Sequence, residues 1–363
     1  MKHRDLDADV IVIGGGHAGV EAARASIALG APTLLVTHRA DRIGEMSCNP
    51  ALGGLGKGHL IREIDALGGL MGFVGDKAAI HYRLLNRSKG PAVQGPRIQA
   101  DRDIYRREMR QALAALRKLT VVEAEAAEIL FANGQVDGVR LANGRDLLAR
   151  AVVLTAGTFL NGVLHVGNEV REGGRAGDAA ARKLAASLSA LNMPRGRLKT
   201  GTPPRLASST IDWARTAPQP GDEDPVFLSF GTENVQAPQI ACAITRTTSD
   251  THAAIAERLN ESAIYSGRAQ SRGPRYCPSI EDKIVRFADK PSHQVFLEPE
   301  GLDSQLTYPN GLSTSLSLEG QRTFLRTIPG LEKAEIVRPG YAVEYDYVDP
   351  RSLSASLETK TCR

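Results

Sequence analysis

The segment that most constrains this chain lies within its first forty residues. Residues 9–13, "DVIVI", form a short apolar run rich in β-branched side chains, the composition of a strand buried on both faces. Gly14-x-Gly16-x-x-Gly19 follows at once, then "VEAARASIALG", a stretch of helix formers that stops at Gly30. "APTLLVTH" supplies a second strand and completes a βαβ unit. In this setting Gly14 permits the tight turn, Gly16 lets the backbone approach a pyrophosphate, and Gly19 lets helix pack closely on strand. The helix N-terminus then offers free N–H groups and partial positive charge to phosphate. The second strand of such a unit commonly ends in an acid that holds ribose hydroxyls. Here it ends Val36-Thr37-His38, so ribose recognition must use Thr37, His38 or backbone.

Between residues 123 and 150, Asn133-Gly134 and Asn143-Gly144 punctuate three apolar runs, the pattern of a meander with tight turns. "AVVLTAG" at 151–157 then returns as a buried strand. An antiparallel crossover followed by a parallel strand is the layout of two-dinucleotide-domain flavoproteins, an analogy of fold. The expected architecture is α/β: a Rossmann-like FAD-binding domain over 1–198, an inserted α/β lobe over 199–272, and a return to the FAD-binding domain over 273–363.

A chain of 363 residues can bury a full core, and its net charge of +4 permits a nucleic-acid partner without requiring one. The cysteines, Cys48, Cys242, Cys277 and Cys362, are scattered and form no CxxC pair, which argues against a zinc site or a disulfide framework. No signal-peptide pattern or membrane-length apolar run is present, so a reduced cytoplasmic setting with free thiols is expected.

"SCNPALGGLGKGHL" at 47–60 is superficially a phosphate loop. A Walker A sequence needs glycine where Ala51 stands and serine or threonine where Gly58 stands, so that reading fails. Its glycines still mark a backbone that must bend or approach a ligand closely, with Cys48 beside it. Farther on, Arg83, Arg87, Lys89, Arg97, Arg102, Arg106, Arg107, Arg110, Arg117 and Lys118 face only Asp101, Asp103 and Glu108, a candidate phosphate-contacting cluster or a solvated helix face.

"DVIVIGGGHAGVEAA", "MSCNPALGGLGKGHL", "LNRSKGPAVQGPR", "LKTGTPPR", "GPRYCPSIEDK", "FLEPEG", "YPNG" and "RPGYAVEYD" together resemble the MnmG (GidA) family of FAD-dependent tRNA-modifying enzymes. The resemblance implies addition of a carboxymethylaminomethyl group to C5 of the wobble uridine of certain tRNAs. It implies FAD, NADH as reductant, methylenetetrahydrofolate as one-carbon donor, glycine or ammonium as amine source, an MnmE-type GTPase partner, a homodimer and no membrane.

Carried over by position, the FAD loop is Gly14, Gly15, Gly16, His17, Ala18 and Gly19. The adenine end is contacted near Ala126 or Ala127, and the flavin near Ala181. The nicotinamide segment is Gly273, Pro274, Arg275, Tyr276, Cys277, Pro278, Ser279, Ile280, Glu281, Asp282, Lys283, Ile284, Val285, Arg286 and Phe287. That segment has no Rossmann turn. Its own residues set Cys277 beside Arg275, Tyr276 and Lys283, a setting that favours thiolate, so a catalytic or RNA-facing role fits at least as well. Cys277, Cys48 and Lys283 are the catalytic candidates: a thiolate adding to uracil C6 makes C5 nucleophilic. Family members extend past residue 363 into a flavin-contacting turn and a helical partner-docking domain, so the chain is expected to be a fragment. The folate- and FAD-dependent tRNA methyltransferase family TrmFO and a non-catalytic flavin-binding scaffold are the alternatives.

Overall fold

A computed structural model describes residues 5–269, 271, 273 and 278–362. The chain opens with β1 (Ala8–Ile13), α1 (His17–Ala28) and β2 (Thr33–Thr37), then β3 (Ala51–Gly53), α2 (Lys57–Ala66), α3 (Met71–Lys77), β4 (Ala79–Leu85), β5 (Gly95–Ala100) and α4 (Arg102–Ala114). Next come β6 (Leu119–Glu123), β7 (Ala126–Ala132), β8 (Gln135–Leu141), β9 (Asp146–Leu154), β10 (Val163–Val166), β11 (Glu169–Glu172) and α5 (Arg182–Ser187). The remainder holds β12 (Arg195–Thr202), β13 (Arg205–Ala207), β14 (Ala217–Gln219), β15 (Cys242–Arg246), α6 (Ser249–Ala256), α7 (Ile280–Arg286), β16 (Gln294–Pro299), β17 (Leu306–Asn310), α8 (Leu318–Leu325), β18 (Ile336–Arg338) and β19 (Tyr341–Val348).

The first sheet has the order β6-β2-β1-β9-β8-β7, with β6, β2, β1 and β9 parallel. β1 is buried on both faces. Ile11 and Ile13 pack with Val139 and Leu147 of the meander and Leu184 of α5, whereas Val12 packs with Val20 and Ala23 of α1 and Met109 of α4. That alternation is the period-2 geometry of a strand with cover on each side. The meander's third strand and the returning parallel strand are not separate elements. β9 pairs antiparallel with β8 through residues 146–148 and parallel with β1 from Ala149 onward, because no turn residue interrupts "LLARAVVL".

The two Asn-Gly turns also differ. Asn133 and Gly134 both have positive φ, 53° and 77°, as a tight hairpin turn requires. At the second turn only Gly144 does (86°), and the Asn143 side chain instead accepts from the Arg145 N–H at 3.0 Å.

β3, β5 and β4 form a small antiparallel sheet, and β11-β10-β19-β12 form a second. The last sheet, β14-β15-β16-β17-β13-β18, takes strands from both sides of residue 272, and β12 runs across 198/199. Neither boundary expected from the sequence falls between sheets. The lobe's core joins Leu206, Val295 and Leu297 of this sheet to Ile255, Ile280, Ile284 and Phe324 of α6–α8. Among the described residues no helix is long and apolar enough to cross a membrane.

Candidate cofactor and catalytic site

Chain order along the parallel strands reverses between β1 and β9, and a cavity of about 650 Å³ opens at their carboxyl ends. This is where doubly wound sheets place their ligands. Gly14, Gly15, Gly16 and His17 line one wall, followed by Thr37, His38, Ala124, Ala126 and Thr155.

The three fingerprint glycines have different causes. Gly14 has φ +108°, and a Cβ on Gly19 would overlap the Gly14 carbonyl oxygen, so both are dictated by the protein's own backbone. Gly16 caps α1 with ordinary φ (−76°), and a Cβ there would meet no protein atom within 4 Å. Nothing in the chain itself requires glycine at 16, and the open space beside it lies on the cavity wall. A dinucleotide pyrophosphate fits that cradle, open toward the first turn of a helix.

His17 opens α1, and its ring meets Tyr105 edge-on at 5.5 Å. Burial, with Lys57 nearby, lowers its pKa to about 4, so it is neutral in the cavity wall. Ala126 and Ala181 line the cavity, whereas Ala18 and Ala127 are absent from its wall. At the end of β6, Glu123 is engaged by the Ala40 N–H at 2.8 Å.

Cys48 sits on the same cavity, with Ser47, Asn49 and Lys57. Its Sγ lies 3.2 Å from the Tyr308 hydroxyl and 3.6 Å from the Gly201 carbonyl. Its own carbonyl accepts from Arg102 and, at 3.0 Å, from Arg205. Lys57, open to the cavity but deep within it, has its pKa lowered to about 8, chiefly by desolvation. The glycines around these residues turn out to be structural: Gly53, Gly54 and Gly56 all have positive φ, and a Cβ on Gly53 or Gly58 would overlap the Pro96 carbonyl. They fold the loop back so that Cys48 and Lys57 reach one space. Tyr308, Arg205, Glu300 and Lys57 were not signalled by spacing, since the contacts join residues up to 260 positions apart.

Cys277, with Pro274, Arg275 and Tyr276, lies outside the described residues. The described remainder of its segment is a capped helix. Ser279 caps α7 through the Asp282 N–H, Ile280 and Ile284 enter the lobe's core, and the Glu281 carboxylate accepts from the Ser315 N–H at 3.0 Å. Lys283 donates to the Gly311 carbonyl at 2.9 Å and does not line the cavity. Cys242 is buried, and that burial pushes its thiol up to about 12.

The basic cluster is not one surface. Arg97 binds Glu298 at 2.5 Å and Arg102 binds Glu300 at 2.9 Å, both well inside the fold. Arg83 and Arg87 share Asp222. Arg106, Arg107 and Arg110 line an open groove along α4.

The family model for glucose inhibited division protein A matches residues 9–363. The chain is 56% identical over 355 residues to the tRNA uridine 5-carboxymethylaminomethyl modification enzyme MnmG of Granulibacter bethesdensis, covering 97% of this chain and 56% of that protein. It is 55% identical to the enzyme of the same name from Zymomonas mobilis, covering 98% of this chain and 57% of that one. It therefore spans little more than half the length of these relatives. The GidA structure from Aquifex aeolicus in crystal form I superposes with a TM-score of 0.93 at 49% identity, over 99% of this chain and 61% of that one. With a family model matched over residues 9–363 and the α/β architecture superposing at this level, the chain belongs to the glucose inhibited division protein A family.

Proposed function

We propose that this chain is the cofactor- and uridine-handling portion of a tRNA-modifying enzyme that installs a carboxymethylaminomethyl group on C5 of wobble uridine. The observation that carries the reading is the joint placement of Gly16 and Cys48 on one cavity: a cradle that no protein atom fills, and a thiol within the same walls. The relatives' name supports the same chemistry.

The glycine loop and the first turn of α1 hold the FAD pyrophosphate, while Thr37 and His38 take the ribose role that an acid fills elsewhere. Ala124 and Ala126 leave flat, apolar room for the adenine. When bound, the flavin supplies the redox step, with NADH as reductant. Cys48 is the nucleophile: its sulfur adds to uracil C6, the electron pair moves to the O4 enolate, and C5 attacks an electrophilic one-carbon unit. A base then removes the C5 proton and the thiolate departs from C6. An MnmE-type GTPase and a second copy of the chain complete the assembly, in a reducing compartment that keeps Cys48 a thiol.

The test is the absorbance spectrum of the purified chain before and after anaerobic NADH, followed by mass spectrometry of the tRNA wobble uridine after incubation with the partner GTPase and one-carbon donor. A flavin band that bleaches and a uridine carrying the new group support the reading. A methylated uridine elsewhere in the tRNA would replace it with the methyltransferase chemistry, and no flavin in a chain extended to the relatives' length would overturn it.

A further inference from the structure

We infer that Tyr308 is the positioning residue of the Cys48 thiol, donating its phenolic hydrogen to the sulfur and fixing its side-chain torsion. The inference rests on the reading of Cys48 as the nucleophile, and it is carried by the sulfur's surroundings. Among the described residues Sγ has two hydrogen-bonding neighbours, the Gly201 carbonyl at 3.6 Å and the Tyr308 hydroxyl at 3.2 Å. A carbonyl can only accept, so the neutral thiol donates to Gly201 and the phenol donates to sulfur. Once the thiol proton leaves, Gly201 has nothing to offer an anion, whereas the phenol continues to donate.

The geometry leaves little slack. Arg102 and Arg205 fix the Cys48 main chain through its carbonyl, so the side-chain torsion is the remaining freedom. Tyr308 is 2% exposed, and among the described residues Cys48 is its hydroxyl's sole hydrogen-bond partner. The Arg205 guanidinium lies 4.6 Å over the Tyr308 ring, which fixes the ring and sharpens its O–H as a donor. The other charged or titratable groups facing the sulfur are Lys57, Arg102 and Tyr341, with Glu300 between the two arginines. Burial holds the Tyr308 hydroxyl well above the usual phenol range, so it stays protonated through the cycle and acts as donor, not base. In the addition the sulfur's electron pair forms the S–C6 bond; in the elimination that pair returns to sulfur, and the same O–H receives the departing thiolate.

The test is alkylation of the full chain by iodoacetamide between pH 6 and 10, read at Cys48 by peptide mass spectrometry without tRNA. Tyr308→Phe keeps the ring and loses the donor. Cys48 should then alkylate about tenfold more slowly at pH 7.5, with a profile displaced upward by about one pH unit. A profile superimposed on that of the parent overturns the inference. If Tyr308→Phe does not fold, global replacement of tyrosine by 3-fluorotyrosine, a stronger donor of the same shape, should displace the profile downward, and no displacement overturns it equally. Because the readout needs no tRNA, a displaced profile with tRNA left unmodified by a chain extended to the relatives' length would sink the proposed function and leave Tyr308's hold on the thiol standing.

Discussion

Glu300 lies 2.6 Å from Arg205 and 2.9 Å from Arg102, one carboxylate between two guanidiniums that both hold the Cys48 carbonyl. Only 6% of Glu300 is exposed, so the pairing is made with little water to screen it. Glu300→Gln keeps the shape and leaves two cations uncompensated. The expected cost is about 3–5 kcal/mol, the penalty of breaking a buried ion cluster from one side. Urea unfolding of the two proteins measures it, and a difference below 1 kcal/mol would show that water reaches the cluster.

Gly16 and Gly19 should separate binding from folding. Gly16→Ala points its methyl into the open cradle, so stability should stay within about 1 kcal/mol of the parent while retained flavin falls. Gly19→Ala drives its methyl into the Gly14 carbonyl and should cost more than about 3 kcal/mol. Denaturant melts with flavin content measured on the same samples check both. Equal flavin retention by Gly16→Ala and parent would remove the cradle argument.

His17 sets an acid limit. Its folded pKa of about 4 lies below the unfolded value of 6.5. The unfolded chain therefore binds the proton first as pH falls, and stability is lost between pH 6.5 and pH 4. His17→Gln should flatten that part of the profile. Thermal midpoints at pH 7, 6 and 5 report it, and parallel curves for variant and parent would show that another group titrates.

The two hairpin asparagines should respond unequally. Asn133 sits at φ +53°, where an alanine Cβ crowds the next carbonyl, so Asn133→Ala should cost about 1 kcal/mol. Asn143 has no positive φ, and Asn143→Ala should cost less, losing one exposed side-chain bond. Paired chemical melts of the two variants decide it.

The βαβ unit was legible because its signals are local: β1, the glycine turn and α1 follow one another, and each residue type serves its neighbour. Cys48 was legible as a candidate because it stands beside a glycine-rich turn. Its surroundings were not, since Tyr308 and Arg205 arrive from distant strands, Glu300 from the bend after β16, and no short-range pattern encodes that meeting. The fused β9 was missed for the opposite reason: an apolar run suggests a strand but says nothing of how many partners it will have. Arg97 and Arg102 misled because counting charge along the chain cannot show that their carboxylates come from 298 and 300.

Leu148 and Ala149 are consecutive residues of β9, one bonded into the meander and the other into the parallel sheet. No hinge can lie between the meander and the parallel strands of this one sheet without tearing a ladder on one side. Ala126 on β7 and Thr155 at the end of β9 therefore move as a single body, and that end of the cavity is a mould of fixed width, set before any ligand arrives.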